Sequence, residues 1–90
     1  MTLKIEATSH AGTTTLRLIG RIEAEHLAEV QELVRAYQSP LVFDLGEVTL
    51  VDIAFVRFLI ACESDGIELR HCPPYISEWI DRERLTPTPT

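Results

Sequence analysis

Between Leu41 and Cys62 the chain reads LVFDLGEVTLVDIAFVRFLIAC, a run that few small folds can accommodate. It predicts a buried strand over Leu41–Leu45, a short apolar connection, and a helix opening at Asp52. Asp52 suits the N-cap, where its carboxylate accepts from free N–H groups and sits at the positive end of the helix dipole. The residues after it, IAFVRFLIAC, carry a single charge, Arg57. A helix that is apolar nearly all round needs cover on both sides, whereas a surface helix shows a polar face. In a chain of 90 residues one side of this helix faces the chain's own core. The other side is expected to meet another molecule.

Ninety residues of which 46% are hydrophobic allow one domain, which buries only roughly 60–65% of its unfolded surface. Fourteen acidic against eight basic residues give a net charge of −6. That balance argues against a nucleic-acid partner, which needs a cationic surface, and no lysine–arginine run points to anionic lipid. No apolar segment is long enough to span a bilayer, and MTLKIEATSH lacks the apolar stretch of a signal peptide. A cytoplasmic location is the expectation. Cys62 and Cys72 form no CxxC pair and have no zinc-type companions. Both are expected to be reduced, structural thiols.

Leu3, Ile5 and Ala7 alternate with Lys4, Glu6 and Thr8, the period-2 mark of a half-buried strand. His10-Ala11-Gly12 supplies a turn, and a second alternation follows, so a hairpin of Leu3–Ser9 with Thr13–Ile19 is predicted. From Glu23 to Tyr37 the period becomes helical, with Ala24, Leu27, Ala28, Val30, Leu33, Val34 and Tyr37 as the apolar stripe. Ser39-Pro40 ends that helix. The central strand and helix follow, and Asp65-Gly66 stops the second helix with a glycine cap. Ile67 and Leu69 alternate with Glu68 and Arg70 in a fourth strand ending near Cys72. Pro73-Pro74 opens a last helix whose stripe is Tyr75, Ile76, Trp79, Ile80 and Leu85. Residues 1–85 are therefore read as one domain, and 86–90 as an extended Thr/Pro tail.

The order β-β-α-β-α-β-α implies an α/β fold: an antiparallel hairpin, then right-handed parallel crossovers that put the helices mainly on one face of a four-stranded mixed sheet. Leu3, Ile5, Leu16, Leu18, Leu41, Phe43, Leu45, Ile67 and Leu69 would line that face. Lys4, Glu6, Thr15, Arg17, Asp44, Glu68 and Arg70 would line an open, polar one.

The order of elements, the LVFDL strand, the VTLVD connection, the helix beginning at that Asp and the IELRHCPPYISEWI unit together resemble a STAS domain, over about Thr13 to Leu85. STAS domains occur in bacterial anti-sigma factor antagonists, in cytoplasmic regions of sulfate transporters and in a small subunit of lipid-transport ABC systems. The resemblance implies a non-catalytic regulatory module that docks a partner protein through the start of this helix. The implied partner is an anti-sigma or histidine-kinase-like ATPase, or the ATPase of an ABC transporter. In the family the Asp is followed by two small hydroxyl residues and a glycine, and phosphorylation of the second hydroxyl releases the complex. Here Ile53 and Ala54 stand at the hydroxyl positions and Phe55 at the glycine. A phosphate would add about −1.5 to −2 charges, but Ala54 has no oxygen to carry one. Control through this switch is therefore not expected, and Thr49 is the nearest other hydroxyl.

The departure leaves an apolar helix start. Phe55 and Phe58, three apart, share a side with Ala54 and Arg57 adjoining, and an apolar patch rimmed by arginine is a usual interaction surface. Asp52, Ile53, Ala54, Phe55, Arg57 and Phe58 are thus the candidate partner-binding residues, unless both phenylalanines belong to the core. A homodimer through the apolar helix or the open sheet face is the alternative. No enzyme constellation stands out. His10, His26 and His71 lack metal-ligand spacing, His71 and Cys72 on a strand point to opposite faces, and no glycine-rich phosphate loop is present. A small enzyme would have to use Asp44, Asp52 or Cys72; no cofactor or metal is implied.

Overall fold

The structure, a computed structural model, describes residues 3–37 and 40–85. The N-terminal hairpin pairs β1 (Leu3–His10) with β2 (Thr13–Ile22), antiparallel and without a register break. Its two-residue turn holds Ala11 at φ 53° and Gly12 at φ 83°. Two successive positive φ values give the twist that a tight hairpin demands, and glycine supplies the second without strain.

A 3-10 turn, Ala24–His26, leads into α1 (Leu27–Ala36). The helix predicted from Glu23 is therefore split, and only Val30 of its stripe is fully buried. Leu27, Leu33, Val34 and Tyr37 pack half-buried against the core, while Ala24 and Ala28 are exposed. The chain then crosses to β3 (Leu41–Val51), continues through α2 (Ile53–Ser64) to the three-residue β4 (Glu68–Arg70), and ends in α3 (Pro74–Leu85). Ser39 and the Thr/Pro tail at 86–90 lie outside the described residues.

The fold is α/β, with one four-stranded mixed sheet in the order β1-β2-β3-β4; β2–β3 and β3–β4 are parallel. Leu16, Leu18, Phe43 and Leu45 project from the sheet into one core, and Val30, Phe55, Leu59, Ile76 and Ile80 reach it from the three helices. All three helices therefore cover the same face, which for α1 and α2 follows from right-handed crossovers between neighbouring strands.

β3 departs most from the sequence reading. It runs six residues past Leu45, through the segment predicted as a connection. The pairing slips between Arg17/Ile19 and again between Gly20/Arg21, each time leaving an extra residue on β3. Its buried helix-side residues are consequently Leu41, Phe43, Leu45, Val48 and Val51, spaced two, two, three and three. Bulges break the alternation that marks a strand while leaving its pairing intact.

α3 closes the fold over α2. Ile76 is fully buried and Ile80 nearly so, while Arg57–Glu83 at 3.5 Å and Arg84–Glu63 pair the two helices at the rim. Trp79 packs half-buried against the core. Tyr75 and Leu85, predicted in the α3 stripe, are instead 43% and 82% exposed, because they sit at the ends of the helix beyond the reach of α2.

Candidate functional site

The start of α2 is built around Asp52. Its backbone is extended, as at an N-cap, and its Oδ1 accepts from the Phe55 N–H at 3.0 Å. Its Oδ2 accepts from the Ala24 N–H at 2.7 Å. One carboxylate therefore holds the first turns of two helical segments, the 3-10 turn before α1 and α2 itself, satisfying N–H groups that have no partner inside either. The capping role predicted from sequence is present. The second bond, across 28 positions, had no sequence signal, because Ala24 looks like any stripe alanine.

The six candidate docking residues separate in space. Phe55 is fully buried; its ring lies 5.6 Å from Phe58, which in turn lies 6.2 Å from Phe43 on the sheet. Phe55 is a core residue, so its assignment to a docking patch is corrected here. The helix turns it toward the sheet, where three rings fill the space between layers. Phe58 is half-buried and lines an open cleft of about 320 Å³ between α1 and α2, beside Val34, Cys62 and Ile67. It therefore does not share a surface with Ile53. The residues α2 does present outward are Ile53, Arg57, Ala61 and Ser64, a narrow strip at helical spacing, with Ala54 half-buried at its edge. The broad uncovered side expected of this helix is absent, because α3 takes one flank and α1 approaches the other.

Most of what remains exposed and apolar, Leu85 apart, lies around the junction of β3 and α2. Four large hydrophobic residues stand out at the described surface, and three of them are Leu50 (48% exposed), Ile53 (36%) and Tyr75 (43%). Leu50 and Ile53 flank the junction of β3 and α2. Tyr75 joins them from the start of α3: its hydroxyl donates to the Thr49 carbonyl at 2.9 Å. Burial, then the neighbouring Cys72, raise the Tyr75 phenol above its ordinary value, so at neutral pH it stays a donor. Sequence reasoning missed Leu50 and Tyr75. The first lay in the supposed connection and the second in a supposed core stripe.

Asp44 and His71 form a second polar feature, on the open sheet face. His71 Nδ1 lies 3.2 Å from Asp44 Oδ1, which also accepts from the Gly46 N–H at 3.0 Å. His71 is largely exposed, and its backbone is held at φ 57°, a region costly for a side-chain-bearing residue. Gly46 permits the approach, since a Cβ there would stand 3.2 Å from His71 Cβ. Partial burial pushes the Asp44 carboxyl up. The Gly46 N–H, His71 and Arg17 pull it down by more, so it ends below its ordinary 3.8. An oriented Asp–His pair can move a proton, but a covalent reaction needs an activated nucleophile beside it. The adjacent Cys72 is half-buried, and burial followed by Asp81 raises its thiol, away from the thiolate form. Cys62 is buried, its thiol pushed up to about 11 by burial and by Asp65. Asp44 and Asp52 make separate sets of bonds and do not act as a carboxylate pair.

Among the described residues no three His, Cys, Asp or Glu side chains are grouped to hold a metal ion. No helix of the described residues is long and apolar enough to cross a membrane. Set against known proteins, the chain matches no family model and no curated sequence.

Proposed function

We propose that this chain is a non-catalytic protein-interaction module of STAS type that docks a partner protein through the Leu50–Ile53–Tyr75 end of the fold. The observation that carries the reading is the gathering of exposed apolar side chains where three elements meet, on a platform tied by the Asp52 and Tyr75 bonds. Apolar side chains rimmed by polar ones are the usual anatomy of such contacts. Arg57, exposed and paired with Glu83, provides the charged rim next to Ile53. Phe55 supports the platform from beneath and makes no contact of its own.

By the STAS resemblance the partner is an ATPase, of the histidine-kinase-like or the ABC-transporter type, and the setting is the cytoplasm. Ala54 at the start of α2 leaves no hydroxyl for a phosphate, so the contact is constitutive or is controlled from the partner's side. The test is affinity capture from the source cell with wild-type protein and with Ile53→Asp, both shown by circular dichroism to be folded. The reading expects an ATPase that is retained by the wild type and lost by the variant. Recovery of no ATPase, or equal recovery by both proteins, refutes it.

A further inference from the structure

We propose that two copies of this chain pair through the outer edge of β1, antiparallel about a two-fold axis perpendicular to the sheet, with Ile5 opposite Ile5. The sheet has two edges of different kinds. β4 is only three residues long, a blunted edge of the sort proteins use to avoid pairing. β1 runs eight residues, pairs with β2 without a bulge, contains no proline, and has no strand on its other side among the described residues. The helical layer also stops short of it. On the helix side of β1, Leu3 and Ile5 are half-buried while Ala7 and Ser9 are exposed. A long flat edge with an uncovered apolar shelf is a template for another strand.

The charges on the open face select what pairs there. Register places Glu6, Arg17, Asp44 and Arg70 directly opposite one another across all four strands. This is one alternating row that stabilises each neighbour, and Arg17 lies 3.9 Å from Glu6. At the β1 edge the row ends in Glu6, which already meets Lys4 of its own chain at 3.5 Å. A two-fold axis at Ile5 sets the partner's Lys4 opposite Glu6 and continues the alternation. The same register sets Leu3 against the partner's Ala7 on the helix side, so apolar meets apolar below while opposite charges meet above. A shift of the axis to Lys4 opposes two lysines, and a shift to Glu6 opposes two glutamates, both unfavourable. A second copy is therefore complementary to this edge in the Ile5-centred register, and the two adjacent registers are disfavoured. The docking end described above is on other elements and plays no part in the pairing.

The test is sedimentation velocity on the full chain alone, from micromolar to millimolar concentration, together with cross-linking. A monomer–dimer equilibrium is expected. Lys4→Glu converts two favourable pairs into two repulsive ones and should weaken the dimer about tenfold. The double exchange Lys4→Glu/Glu6→Lys restores opposite charges across the axis but sets a lysine opposite Arg17 within the chain, so it should recover part of the dimer lost with Lys4→Glu alone. Ile5→Cys should give a symmetric disulfide-linked dimer on mild oxidation where the wild type gives none. A monomer at every concentration overturns the proposal. So does a dimer indifferent to the charge changes and not cross-linked by Ile5→Cys, which would place the interface elsewhere. A monomeric chain whose β1 amides become protected from exchange only on adding another protein overturns it in favour of a foreign strand.

Discussion

Replacing Asp52 by alanine removes the carboxylate that joins the two helix starts, and the structure fixes what that should cost. Loss of the α2 cap to Phe55 N–H is worth about 1 kcal/mol. The bond to Ala24 N–H is short, at 2.7 Å, and made to a charged acceptor, but it lies at an exposed end of the fold. It therefore contributes about 1 kcal/mol, below the range of a sheltered charged hydrogen bond. The sum is about 2 kcal/mol. With a urea m-value of about 1 kcal/mol/M for a small domain, the unfolding midpoint should fall by about 2 M. Asp52→Asn separates the two bonds. Its single carbonyl can still cap α2, but its amide nitrogen then faces the Ala24 N–H, donor against donor. The helix dipole also loses its facing charge. Urea unfolding followed by circular dichroism should rank wild type above Asn above Ala, with Asn close to midway. A midpoint shift for Asp52→Ala below about 0.5 M refutes the two-bond account, given that capping alone is worth about 1 kcal/mol. Equal losses for Ala and Asn would refute the division between cap and bridge.

Two other outcomes follow from the same geometry. Phe55→Ala should cost about 3–5 kcal/mol, since it empties a fully buried ring site, whereas exposed Ile53→Ala should stay within about 1 kcal/mol; urea midpoints read both, and a tolerated Phe55→Ala would return that residue to the surface. Because the folded Asp44 carboxyl sits below its ordinary 3.8, its contribution is present above that pH and is lost as pH falls through the folded value. The stability gap between wild type and Asp44→Asn should therefore narrow as pH falls below about 4, and a gap unchanged by that acidification would show that the Gly46 and His71 contacts do not favour the charged form.

How far the sequence could be read depended on whether a signal was local. The hairpin, the Asp52 cap and the glycine stop after α2 are each written within a few residues, and the structure has them. Alternation along β2 and the first half of β3 also placed Arg17 and Asp44 on the open face, because strand period survives wherever pairing is regular. It failed in β3 past Leu45, where two bulges stretch the inward spacing to three. GEVTLV then looks like a linker, and Gly46 was the one hint of irregularity. Contacts between distant residues left no trace: Ala24 with Asp52, Tyr75 with Thr49, and His71 with Asp44 each join elements that only the fold brings together.

The apolar character of α2 misled for a related reason. A helix with one covered side must be amphipathic, and one without a polar face must have more cover, but the sequence does not say whose. Here the chain supplies most of it: the sheet receives Phe55 and Leu59, α3 brings Ile76, Ile80 and two ion pairs, and α1 forms the far wall of the cleft beside Phe58. Only the strip through Ile53, Arg57 and Ala61 is left. Most of the surplus hydrophobicity of α2 is therefore accounted for by intramolecular packing, and the case for a docked partner rests on Ile53 at its first turn together with Leu50 and Tyr75 outside that helix. Leu50 is exposed because Val48 and Val51 hold the inward positions on either side of it. Tyr75 gains its exposure from lying at the first turn of α3, before that helix meets α2. The proposed docking surface thus depends on the end of β3 and the placement of α3 as much as on the helix start, and substitutions at Leu50 and Tyr75 should impair docking, as Ile53→Asp should, while leaving the α2 cap intact.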